Sequence, residues 1–135
     1  MTRYMLDTNT CILLIKHRPK TLYDRISVLP VENLSVSSIA IAELWYGVSL
    51  SQKKRNNEAA LKDFLDYVDV LDWPHGAGRV YGSIRKHLKE KGTPIGAMDL
   101  LIAAHALFLG AVLVTDNTRE FERVPGLNLE NWIER

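Results

Sequence analysis

The chain predicts an α/β domain of three layers, α/β/α, with a mainly parallel sheet between helices. Three observations predict it. Short apolar runs, each too short for a helix, recur between stretches of helical periodicity. Such alternation points to a parallel sheet with helices on both faces. The run Val112-Leu113-Val114 is apolar without a break, as befits a central parallel strand buried on both sides. Finally, 135 residues with 47% hydrophobic content suffice for one full core, and no repeat, low-complexity tract or linker divides them. Residues 1–135 therefore read as a single domain.

The elements follow in order. Tyr4-Met5-Leu6 is a strand ending at Asp7, and Thr8 to about Lys16 is a helix carrying Cys11, Ile12, Leu13 and Leu14. The basic group Lys16-His17-Arg18-Pro19-Lys20 closes it. Pro19 opens a second helix with Leu22, Ile26 and Leu29 on one face, ending at Pro30. Leu34-Ser35-Val36-Ser37 alternates as a short strand, and Ser38 can cap a helix from Ile39 to about Ser49. Gln52 to about Tyr67 is an amphipathic helix with apolar Leu61, Phe64 and Leu65. Its polar start, Gln52 to Arg55, is the expected exposed corner. Val68 to Trp73 alternates as a strand closed by Pro74. A long helix runs from about Gly76 to Lys91 and is stopped by Gly92. After the turn Thr93-Pro94-Ile95-Gly96, Met98 to Leu109 is a buried helix ended by Gly110. Ala111 to Thr115 is the clearest strand. A short helix, about Arg119 to Arg123, then leads through Pro125-Gly126 to a last strand, Leu127-Asn128-Leu129.

The composition narrows the function. A formal charge of +1 gives no overall field for nucleic acid, so any such contact must come from a local patch. The single cysteine, Cys11, excludes an internal disulfide and reads as a small buried apolar residue. No apolar run has the length of a membrane span. The N-terminus lacks a signal-peptide plan, so a cytoplasmic protein is expected.

Four acids stand where acids are unusual. Asp7 lies where a strand ends and a helix begins. Asp116 repeats that setting after the strongest strand, in Thr115-Asp116-Asn117. Glu43 is the only charge in the apolar stretch Ser38 to Trp45, and Asp99 opens the buried helix. Each alone has a structural explanation: a cap, a dipole partner or a surface edge. Together they face one edge of a parallel sheet, where ligands bind. Four converging carboxylates repel one another unless some are protonated or a cation sits among them. Oxygen ligands without matching His or Cys suit Mg²⁺ or Mn²⁺. A hard cation held by carboxylates is one way to hydrolyse a phosphodiester.

Leu6-Asp7-Thr8-Asn9, Ala42-Glu43-Leu44, Gly92 to Asp99, and Val114-Thr115-Asp116-Asn117 with Glu120-Phe121 resemble the motifs of PIN-domain ribonucleases, in particular VapC toxins of bacterial toxin–antitoxin pairs. The likeness runs nearly end to end, through Pro125-Gly126-Leu127 and Trp132. It implies a PIN-like three-layer fold with a central five-stranded, mainly parallel sheet. It also implies Mg²⁺ held by Asp7, Glu43, Asp99 and Asp116, and cleavage of RNA. Asp7 and Asp99 are then expected as primary ligands. Glu43 and Asp116 would act through water, complete a second site, or orient the nucleophile. Asn9 and Thr115 match supporting positions. Related toxins act on the anticodon loop of initiator tRNA, which makes tRNA the first expected substrate. A homodimer and a cognate VapB-like antitoxin complete the expectation, the antitoxin inserting a basic side chain among the carboxylates.

Arg85, Lys86, Lys89 and Lys91 crowd one helix, and Lys16, Arg18 and Lys20 another corner. They read either as solvated faces or as a ridge that tracks RNA phosphates. Trp45 and Tyr46, beside Glu43, suit a core or dimer interface better than stacking on a base. His17, His75, His87 and His105 form no metal motif, and His105 reads as a buried, hydrogen-bonded side chain. Two rivals differ in class. A phosphoacceptor signalling domain needs paired acids after the first strand and a Lys where Asp116 stands. A catalytically silent PIN-like module, binding only RNA or protein, needs a missing acid, and none is missing.

Overall fold

A computed structural model describes residues 2–133. Five parallel strands form the sheet: β1 (Tyr4–Leu6), β2 (Leu34–Ser37), β3 (Asp69–Leu71), β4 (Val112–Val114) and β5 (Leu129–Glu130), in the order β3-β2-β1-β4-β5. The register sets Met5 against Leu113 and Leu6 against Val114. Met5, Leu6, Leu113 and Val114 are fully buried, as expected for central strands. The chain builds outward from β1 to β3, then returns to start β4 on β1's other side. The switch point therefore lies between β1 and β4, the place where open α/β sheets bind ligands.

The helices are α1 (Thr8–Ile15), α2 (Lys20–Ser27), α3 (Ser38–Leu50), α4 (Lys54–Leu65), α5 (Ala77–Lys91), α6 (Ala97–Leu109) and α7 (Thr118–Phe121). A single 3₁₀ turn at Val31–Asn33, which no sequence signal announces, precedes β2. Helices α5 and α6 end as expected. Gly92 and Gly110 adopt φ of 69° and 67°, and the following amides turn back to Leu88 and Ala106. Cys11 is buried, and burial together with the charge of Asp7 pushes its thiol well above the ordinary range.

Several boundaries differ from expectation: α2 ends at Ser27 and leaves Leu29 outside it, α4 and α7 are shorter than expected, and three further differences have a clear local reason. Strand β3 stops at Leu71, because the Trp73 amide turns to Ser38 Oγ and its indole donates to the Leu101 carbonyl. Strand β5 pairs at Leu129–Glu130, starting two residues late, because the Pro125-Gly126 turn (Gly126 φ 79°) consumes Leu127, whose amide reaches back to Val124. The cap of α3 is Ser37, whose Oγ accepts from the Ile39 amide at 3.2 Å; Ser38 instead anchors Trp73. His105 is buried and its Nδ1 lies 2.9 Å from the same Ser37 Oγ. Burial holds its imidazole below the usual 6.5.

Candidate active site

Strand β1 delivers Asp7 to the sheet edge, and α1 starts at the next residue. Asp7 is 3% exposed. Its Oδ1 accepts the Thr10 amide at 2.9 Å, so the capping explanation is literally true. Its Oδ2 accepts a 2.6 Å hydrogen bond from Thr115 Oγ1, across the switch point from the end of β4. Thr115 Oγ1 in turn accepts from the Asn117 amide. Cap and site are thus compatible: the bonds that cap α1 also fix the direction of the carboxylate. A carboxylate oxygen carries two acceptor sites, so each retains capacity for a further partner.

Helix α3 carries Glu43, which is half-buried. Its Oε1 accepts a 2.6 Å bond from Thr8 Oγ1. It borders a 290 Å³ groove shared with Ile12, Ile15, Lys16, Leu44 and Val48. Asp99 lies in the first turn of α6. Burial pushes its carboxyl from 3.8 to about 6, assisted by the charges of Glu120, then Asp7 and Glu43. Those charges bind Asp7, Glu43 and Asp99 into one electrostatic cluster across β1, α3 and α6.

The other acid in that cluster is Glu120. Its Oε1 accepts the Gly96 amide at 3.0 Å, just before Asp99, and its Oε2 accepts from Asn117 Nδ2 at 2.8 Å. Those two bonds hold its carboxyl below the usual range. Asp116 accepts from Asn131 Nδ2 at 3.2 Å and is not among the charges that raise Asp99. Asn9 is exposed. The spacing Asn117-x-x-Glu120 is that of a capping box, and it was the available signal for Glu120. Thr8 stands in the motif Leu6-Asp7-Thr8-Asn9, where the sequence assigns it no role beyond following Asp7.

Lys16 lines the groove beside Glu43. Arg18, Arg85, Lys86, Lys89 and Lys91 are exposed. On α5, Arg85 donates to Tyr81 Oη at 2.9 Å and Lys86 pairs with Glu90 at 3.5 Å. Tyr46 is 66% exposed, whereas Trp45 packs on the core.

The donor set suits a hard cation: carboxylate oxygens only, with Asp99 already raised by burial and, after it, by the neighbouring acids. Among the described residues no three of these side chains form a ready-made metal cage. A cation would draw them together against their mutual repulsion.

A parallel α/β domain with carboxylates gathered at its switch point has the arrangement of a hydrolytic domain. The comparisons place the chain in a family. The PIN domain family model matches residues 4–127. Ribonuclease VapC2 of Rickettsia felis is 45% identical over 130 residues, covering 96% of this chain and 97% of the relative. The tRNA(fMet)-specific endonuclease VapC of Salmonella typhimurium is 43% identical over 132 residues, covering 98% and 99%. The crystal structure of VapBC2 from Rickettsia felis, bound to a DNA fragment from the promoter, contains a chain that superposes with a TM-score of 0.92. It is 44% identical and covers 97% of this chain and 99% of that one. The chain belongs to the PIN-domain family, among the VapC ribonuclease toxins of type II toxin–antitoxin systems.

Proposed function

We propose that this protein is a Mg²⁺-dependent endoribonuclease that cuts tRNA, with initiator tRNA as the first substrate to test. The observation that carries the proposal is the membership of the chain in the VapC ribonuclease family with Asp7 and Glu43 held in place by Thr115 and Thr8, and Asp99, raised to about 6 by burial and then by Glu120, Asp7 and Glu43, agrees with it. Like charges gathered at an exposed sheet edge cost stability, and a bound cation relieves that cost. Asp7, Glu43 and Asp99 would hold Mg²⁺, with Mn²⁺ as a substitute. When bound, the cation supplies activation of water and stabilisation of charge on the scissile phosphate. The chain's own residues supply position. Thr115 fixes Asp7, Thr8 fixes Glu43, and Glu120 holds the turn that presents Asp99. The tRNA(fMet) specificity of the Salmonella typhimurium relative, 43% identical, supports tRNA(fMet) as substrate. A loop of unpaired nucleotides suits a near-neutral protein, since single strands are read by local contacts and not by an overall field.

The partner in this reading is a VapB-like antitoxin, as in the VapBC crystal structures of the relatives. The protein is a homodimer through α3, where Tyr46 and Leu50 are 66% and 67% exposed. Light scattering showing a monomer at tens of micromolar protein would remove the dimer. The deciding experiment incubates purified protein with total tRNA in Mg²⁺ and in EDTA. Discrete fragments in Mg²⁺ alone are expected; intact tRNA in both would overturn the activity.

A further inference from the structure

We propose that Thr8 is a positioning residue for Glu43, fixing one carboxylate oxygen so that the other is presented to the cation; this rests on the metal-dependent reading above. Thr8 is the first residue of α1, half-buried and within hydrogen-bond reach of Glu43 on α3. A helical Thr hydroxyl ordinarily bonds a carbonyl one turn back. At the first helical position the residue one turn back, Tyr4, lies in β1, so the hydroxyl is released to reach across to another element. It donates to Glu43 Oε1 at 2.6 Å, thirty-five residues away in sequence. Glu43 Oε2 has no donor among the described residues.

Glu43 needs such a bond more than the other acids. Asp7 has a short side chain held at both oxygens, by Thr10 and Thr115. Glu43 has one more rotatable bond and borders an open groove of 290 Å³. Glu is among the side chains that lose most rotamer freedom when fixed. Without Thr8, its carboxylate would sample the groove, where Lys16 is a competing partner. The two threonines then have parallel duties: Thr115 directs Asp7 from β4, and Thr8 directs Glu43 from α1.

The test measures Mg²⁺ binding by calorimetry, and the Mg²⁺ concentration for half-maximal tRNA cleavage, in wild type, Thr8→Val and Thr8→Ser. Calorimetry is repeated with Thr8→Val in a Glu43→Ala background. Val keeps the shape and removes the hydroxyl. We expect Thr8→Val to weaken both by about tenfold, the scale of one hydrogen bond to a charged group. Thr8→Ser should restore them to near wild type. In the Glu43→Ala background, Thr8→Val should change Mg²⁺ affinity no further. A wild-type response retained by Thr8→Val overturns the proposal alone, as does a full Thr8→Val effect without Glu43, or failure of Ser to rescue. A wild-type protein that neither binds Mg²⁺ nor cuts in it overturns the proposal together with the reading beneath it.

Discussion

Two acids on the chain segment after β4 compete for the role of fourth carboxylate, and geometry separates them. Asp116 follows its strand as Asp7 does, and it accepts from Asn131, while the charges that raise Asp99 are those of Glu120, Asp7 and Glu43. Glu120 sits in α7, reaches back to Gly96 and heads the charges that raise Asp99. Glu120→Gln should therefore reduce tRNA cleavage by at least about tenfold, the cost of losing one charge-assisted bond at the site. Asp116→Asn should cost less. Rates of both variants at saturating Mg²⁺ check this, and the reverse order would return Asp116 to the site. A second prediction concerns Asp99. Its folded-state pKa, about 6, lies above the unfolded 3.8, so between those values the native state holds more protons. Its contribution to metal-free stability is therefore full below pH 3.8 and lost as pH rises through about 6. At pH 7 in EDTA, Asp99→Asn should melt higher than wild type. Millimolar Mg²⁺ should raise wild type by mass action and the variant much less. Equal responses in melting curves would take Asp99 out of the site. The sequence singles out Asp7 as an acid at a strand end, and Glu43 and Asp99 as acids in apolar stretches. Glu120 enters the sequence reading only within the motif Asp116-Asn117 with Glu120-Phe121 and with no role of its own, because on the sequence it is one acid in a polar stretch, and only folding brings α7 against the turn before α6.

At the scale of elements, the sequence announced which segments form strands and helices but not where pairing ends. Ser37 and Ser38 are adjacent and equally able to cap. The register of β2 on β3, which sets Ser37 against Leu71, leaves Ser37 at the junction and frees Ser38 for Trp73. Ser37 therefore joins three elements: it ends β2, caps α3 and meets His105 of α6. Ser37→Ala should lower stability by about 2 kcal/mol, one cap plus a buried imidazole left without its partner. Denaturant titration should show a lower midpoint at unchanged slope. A loss of only a few tenths would mean that His105 finds another partner. Helix α6 thereby carries two groups with opposite pH behaviour. His105 is held below 6.5, so its contribution is present above that pH and is lost as pH falls. Asp99 gives the reverse trend up to about 6. Stability against pH should steepen in Asp99→Asn, where the His105 trend stands alone; an unchanged slope would deny the opposition.

Across the whole molecule, charge is nearly balanced, 17 basic residues against 16 acidic, so no long-range field draws RNA to the protein. The topology compensates by local placement. Helix α5 exposes Arg85, Lys86, Lys89 and Lys91 and leads directly into the turn that presents Asp99. Some of that charge is already engaged internally, Arg85 with Tyr81 and Lys86 with Glu90, but both side chains remain exposed to solvent. If the ridge tracks phosphates, its cations release counterions on binding, and each contact to a single strand contributes about 0.7 to the slope of log affinity against log salt. Replacing Arg85, Lys86 and Lys89 with Gln should weaken tRNA binding and lower that slope by about 2. The measurement needs uncut RNA, so it belongs in the Asp99→Asn background, titrating tRNA at several salt concentrations. Cleavage by the same triple variant with Asp99 intact should show a raised KM and a kcat close to wild type, because the ridge binds substrate without touching the reacting phosphate. A solvated face makes the opposite prediction: the same affinity, slope and KM as the parent. Retention of the parental salt slope would remove α5 from the RNA path and turn the search to the corner at Lys16, Arg18 and Lys20, of which Lys16 lines the groove beside Glu43.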